Sequence, residues 1–268
     1  MFSTRVGKKS AGKMGSMRLL AVLLVPAVAL ILGAVAPQAW ADEFEDAKII
    51  FETNFSARDT GLQIFLDGGP WKEVEIRGPN GEILDIEAEG KLRNFGLTEA
   101  FFETNEPNWD DMSLTAILAR FPKGNYRFKG ITTDGRILRS TASLSHRLPC
   151  APTNLSPSKP IELNGDPVTI RWDAVTKRLG IESEICDGGP ITIVTYQVIV
   201  ENLETEKDFS IFLEAEDYGN EVDLPDQFVT DDTVYKFEVL AIAANGNQTI
   251  AEGFFCTGEP AGGCEPPE

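Results

Sequence analysis

The chain has 268 residues, with 24 lysines and arginines against 42 aspartates and glutamates, one histidine and four cysteines. A formal charge of −18 repels phosphate backbones and anionic headgroups, which counts against a nucleic-acid partner. A single histidine counts against a histidine-built zinc site.

The first 41 residues read as an export signal. Arg5, Lys8, Lys9, Lys13 and Arg18 make a basic start, Leu19 to Ala36 are almost wholly apolar, and Ala39-Trp40-Ala41 has the small-x-small pattern of a cleavage site. Cleavage after Ala41 predicts a periplasmic or secreted protein without stable membrane insertion, no second apolar stretch being present. Removing these five basic residues leaves 19 basic against 42 acidic residues, a formal charge of −23.

The remaining length fits two domains, divided by a stretch rich in proline, "RLPCAPTNLSPSKP". The expected organisation is a β-sandwich over 43–148, a linker over 149–160, a second sandwich over 161–257, and a tail over 258–268 that is disordered or tied by a disulfide. In the front module "GLQIFLDGG" reads as a strand ending in a turn. "WKEVEIRGPNGEILDIEAEG" reads as a hairpin around Pro79-Asn80-Gly81, and "GNYRFKGITTDGRILRSTASL" as another around Asp134-Gly135.

One short helix interrupts these strands. Leu114, Ile117, Leu118 and Phe121 form an apolar stripe; Asp110, Asp111 and Ser113 precede it, and Pro122 with Gly124 ends it. Just ahead, "FFETNEPNWDDM" gathers Glu103, Glu106, Asp110 and Asp111 around Trp109. The first reading of these acids is favourable charge at a helix start. The alternatives are a calcium or ligand-binding loop, and a carboxylate pair for glycoside hydrolysis. Trp71 and Trp109 are read as core, with a sugar-stacking platform as the alternative. His146 follows Ser145 directly; adjacent strand residues point to opposite faces, so the two are not a catalytic pair, and His146 is read as an inter-domain or exposed residue.

Four cysteines in an exported chain, Cys150, Cys186, Cys256 and Cys264, predict two disulfides, with three connectivities open. No spacing among them matches a zinc ribbon or redox motif, and no phosphate loop or dinucleotide fingerprint occurs, so no metal and no cofactor is expected.

The rear module resembles a fibronectin type III domain. "PVTIRWDAV" looks like strand B, with Trp172 in the core; "YQVIVENL" looks like strand C, with Tyr196, Val198 and Val200 on one face. "VTDDTVYKFEVLAIAANGNQT" looks like the E–F corner, strand F and the F–G loop, with Tyr235 as the corner tyrosine whose hydroxyl bonds back to the E–F backbone. The resemblance implies an exposed F–G loop, making Asn245 and Asn247 candidate binding residues. It also implies Cys150–Cys186 at one pole of the sandwich and Cys256–Cys264 at the other.

The sequence is thus read as all-β: two tandem immunoglobulin-like, fibronectin type III-like sandwiches, the first with one short helix. The expected function is exported, non-catalytic recognition, adhesion or accessory binding of a surface protein or polysaccharide through sandwich loops. A secreted carbohydrate-active enzyme using the loop 103–111 and a structural subunit of a cell-surface assembly are the alternatives.

Overall fold

A computed structural model describes residues 42–264; the expected export signal lies outside them. The front half carries β1 (Asp46–Asn54), β2 (Asp59–Gly78), β3 (Gly81–Glu87), α1 (Gly90–Phe95), β4 (Leu97–Glu103), α2 (Leu114–Arg120), β5 (Gly124–Thr132) and β6 (Ile137–Leu144). The rear half carries β7 (Thr153–Ser156), β8 (Thr169–Asp173), β9 (Ile193–Asn202), β10 (Lys207–Glu214), β11 (Glu221–Asp223), β12 (Val234–Ala243) and β13 (Gln248–Cys256). Among the described residues no helix is long and apolar enough to cross a membrane.

The protein is an all-β sandwich fold whose rear half is like fibronectin type III. A three-stranded sheet, β11-β8-β7, faces the four strands β10-β9-β12-β13, with strands B, C, F and G of the resemblance at β8, β9, β12 and β13. Period-two alternation buries Tyr196, Val198 and Val200 of β9 and Tyr235, Phe237 and Val239 of β12 against Trp172. Tyr235 is fully buried, and its hydroxyl accepts from the Thr230 N–H at 2.8 Å, tying the corner to strand F. Within the proline-rich stretch, Thr153–Ser156 forms β7, an edge strand, where a residue without an N–H does least harm.

The front half departs from expectation at two places. Asp67-Gly68-Gly69 does not end a strand: β2 runs on for 20 residues with register shifts between Asp67 and Glu73. Pro70 gives the ladder no N–H, and its carbonyl accepts from Thr133 N–H instead, so the chain bends without turning back. The first part of β2 pairs with β1 and β4, the second with β3 and β5. There is also a second short helix, α1, which buries no side chain and therefore shows no stripe to read.

The largest departure is at the seam. β1 pairs in parallel with β13, Glu52 opposite Gln248 and Asn54 opposite Ile250, so one ten-stranded sheet runs through both halves. Phe55 N–H to Ile250 O at 3.0 Å and Glu252 N–H to Ser56 Oγ at 3.0 Å extend the pairing past the end of β1. The long segment after β8 reinforces it. Leu179 is buried in the front core with Ile181 packed beside it. Glu184 accepts from the Leu114 N–H at the start of α2 and pairs with Arg58 at 3.0 Å.

Candidate functional site

The residues expected to bind a ligand at the F–G loop lie inside the seam. Asn247 is fully buried; its Oδ1 accepts from Phe51 N–H at 3.0 Å, and its Nδ2 donates to the Ser145 and Arg147 carbonyls at 2.7 and 3.2 Å. Asn245 donates to the same Arg147 carbonyl at 2.9 Å. The expectation of an exposed binding residue is corrected for Asn247, which serves polar backbone groups buried at the seam, while Asn245 stays half-buried at the loop tip. His146 serves the same packing, its Nε2 2.8 Å from the Phe121 carbonyl and its ring edge-on to Phe51. Cys150 and Cys186 are bonded, as are Cys256 and Cys264, each with a Cα separation of 5.6 Å.

The acidic loop comes apart in space. Trp109 is core: it is 4% exposed, its Nε1 donates to Thr60 Oγ1 at 3.1 Å, and the Arg58 guanidinium lies 5.1 Å from its ring centre. Trp71 is buried as well, so neither tryptophan offers a stacking face. Asp110 and Asp111 are exposed and lie ahead of the first turn of α2, which contains no acid; Ser113 caps it, accepting from Ala116 N–H at 3.4 Å. The helix-start reading of these acids therefore passes to Ser113 and, across the seam, to Glu184.

Glu103 and Glu106 instead meet Glu52 from β1, with one carboxylate oxygen of each within 4.8 Å of the others. The sheet register explains the meeting: Glu52 stands opposite Gly61, and Gln63 opposite Glu103, on one outward face. Gly61 leaves the space that the Glu106 side chain crosses; a Cβ there would sit 2.7 Å from Glu106 Cγ and push that side chain aside. Gln248 from β13 donates to Glu52 and, at 3.4 Å, to Gln63, which donates to Glu103 at 2.8 Å. The group thus bridges the seam.

Burial is the main cause that raises the Glu106 carboxyl from 4.5 to about 7, with repulsion from Glu103, Asp59 and Glu52 adding to it. Burial also raises Glu52, against the bond from Gln248 that favours its charged form. Asp59 is raised by burial and by Glu252, although the Asn54 backbone bond opposes this. The arrangement stores a proton near neutrality on Glu106 while two amides occupy lone pairs of the other carboxylates. These three are the only carboxylate, histidine or cysteine group among the described residues with a spacing that would hold a cation. Sequence reading finds Glu103 and Glu106 and misses Glu52 and Gln248, which differ from ordinary outward strand residues only through long-range pairing.

Beyond the cluster, β4 carries Glu99, Phe101 and Glu103 on the outward face, with Phe101 57% exposed. Phe95, in α1 just ahead of it, is 85% exposed.

A scan against protein-family models matches none, and a search of curated proteins finds no match. Among solved structures, chicken CNTN1 FN1-FN3 domains are similar at 12% identity and a TM-score of 0.33, with 81% of this chain and 69% of that chain covered. A two fibronectin type III domain segment of chicken tenascin is similar at 9% identity and 0.29, covering 80% and 98%. A cytokine receptor complex is similar at 12% identity and 0.29, covering 81% and 99%. At these scores the fold assignment rests on strand order and the tyrosine corner described above.

Proposed function

We propose that the protein is an exported, non-catalytic recognition component, periplasmic or secreted, whose ligand is another protein met through the front half of the continuous sheet. The observation that carries this reading is β4: an edge strand with Phe101 more than half exposed between two exposed glutamates, on a scaffold tied by two disulfides. Disulfides fit an oxidising compartment. The burial of Asn247 in the seam, with Asn245 half-buried and bonded to Arg147 beside it, moves recognition away from that loop and toward the sheet. The high negative charge disfavours nucleic acid and favours a basic partner.

The carboxylate cluster supports a structural role better than a catalytic one. Glu52 and Glu103 each already accept an amide hydrogen bond, from Gln248 and Gln63, which ties them into the sheet rather than leaving them open to a substrate.

Capture from the envelope and culture fluid of the source organism tests the reading, with disulfide-bonded residues 42–268 as bait. A protein retained by this chain and lost with Phe101→Thr is the expected result. Release of sugar ends from a retained polysaccharide, abolished by Glu106→Gln, would replace recognition by glycoside hydrolysis. Because the halves share a sheet, point variants rather than truncations serve as controls.

A further inference from the structure

Strand β4 is paired along one side only: it bonds to β2, and no other described strand lies beyond it. Thr104 N–H donates to the Leu62 carbonyl at 3.0 Å. In the alternation of an antiparallel ladder, the even-numbered residues of β4 therefore bond to β2, and Glu99, Phe101 and Glu103 turn their N–H and C=O groups away from it. The side chains of these same three residues share the outward face. On the inward face Ala100 and Phe102 pack against the front core yet stay only half buried, because the sheet stops there.

Charge decides what fits this edge. From Leu97 to Met112 the chain has five carboxylates and no lysine or arginine. A second copy laid antiparallel about Phe101 would set Glu99 opposite Glu103 twice, and like charges directly opposed across strands are destabilising. A strand with basic residues at those two places reverses both signs. The edge thus refuses its own copy and accepts an opposite charge.

We propose that the free edge of β4 receives an extended segment of a partner protein in which two lysines or arginines, four residues apart, flank three apolar residues. This rests on the recognition reading and specifies its site. The segment adds a strand: its main chain bonds to Glu99, Phe101 and Glu103, and its basic side chains lie beside the two glutamates. Its central residue covers Phe101, and the two residues between complete the burial of Ala100 and Phe102.

The probe is a capped, fluorescently labelled peptide, TKVFVKT, titrated by anisotropy into residues 42–268 with both disulfides formed. Two control peptides have the same charge: one with the lysines adjacent, and one N-methylated at both lysines and the phenylalanine, which lacks the N–H groups the edge needs. Saturable binding is expected, weakened about tenfold or more by N-methylation, by adjacent lysines, and by Glu99→Lys with Glu103→Lys. N-methylation leaves the protein untouched, so the result does not hang on a variant folding. Equal binding of all three peptides would reduce the effect to diffuse attraction and overturn the proposal, as would no binding at all. A dimer in sedimentation, abolished by the Glu99 and Glu103 changes, would give the edge to a second copy and also overturn it. A captured partner that survives those changes would sink the edge site and leave recognition standing. Capture of nothing would sink recognition, while the titration still decides the edge.

Discussion

Glu106 lies across Gly61 with its carboxyl held near neutrality, so it takes up a proton in the folded state more readily than in the unfolded chain. Its raised value means that its contribution to stability is fully present below pH about 4.5 and is lost as the pH rises through about 7. Solvent reaching a half-buried carboxylate reduces the full linkage value to on the order of 1 kcal/mol. Glu106→Gln is expected to flatten this dependence, raising stability at pH 8 relative to pH 5 when compared with the unaltered protein; urea unfolding at the two pH values measures it. A variant as pH-dependent as the parent would remove Glu106 as the cause. Asn247 acts differently, since no pH change reaches it. Asn247→Ala leaves the Phe51 N–H and the Ser145 carbonyl without their side-chain partner, and Arg147 with one fewer, in a buried place. A loss of about 3 kcal/mol is expected from denaturant midpoints; a change below about 0.5 kcal/mol would mean that water replaces the amide.

Among the elements, the strands with a clean alternation are legible in the amino-acid order alone: β9 and β12 bury every second residue, and Tyr235 marks the corner ahead of its strand. The stripe of α2 is legible for the same reason, Leu114, Ile117 and Leu118 being buried and Phe121 packing beside them. The elements that are not legible have no local period. The six residues of α1 bury nothing, β2 bends through glycines that elsewhere make turns, and Asn247 in "NGN" looks like any hairpin tip until its distant partners are known. The same limit divides the candidate site, with Glu103 and Glu106 visible as neighbours in sequence and Glu52 and Gln248 invisible. Gly253 of β13 shows a cross-strand constraint of this kind. It stands opposite Phe237, and a Cβ on it would lie 2.3 Å from the ring carbon Cζ. Gly253→Ala should displace that ring from the rear core and cost about 2 kcal/mol, read as a lowered thermal midpoint; an unchanged midpoint would show that the ring moves freely.

For the whole molecule, the shared sheet predicts that the two halves unfold together. The parallel seam, Leu179 in the front core and Asn247 between the halves tie each core to the other. Calorimetry of residues 42–268 should give a single transition with equal van't Hoff and calorimetric enthalpies, and two resolved transitions would contradict this. A rear half produced alone, from β7 onward, should be soluble only poorly, because it exposes the β13 edge that β1 covers. The seam has a second consequence, in time. β1 finds its parallel partner some 196 residues later, at Gln248. A growing chain therefore holds β1 unpaired on that side until nearly the whole protein has been made. Closing so long a loop is slow compared with forming local hairpins such as β12–β13, so the docking of that hairpin's β13 edge on β1 is expected to be a late step of folding, and until then β1 presents an open edge to its neighbours.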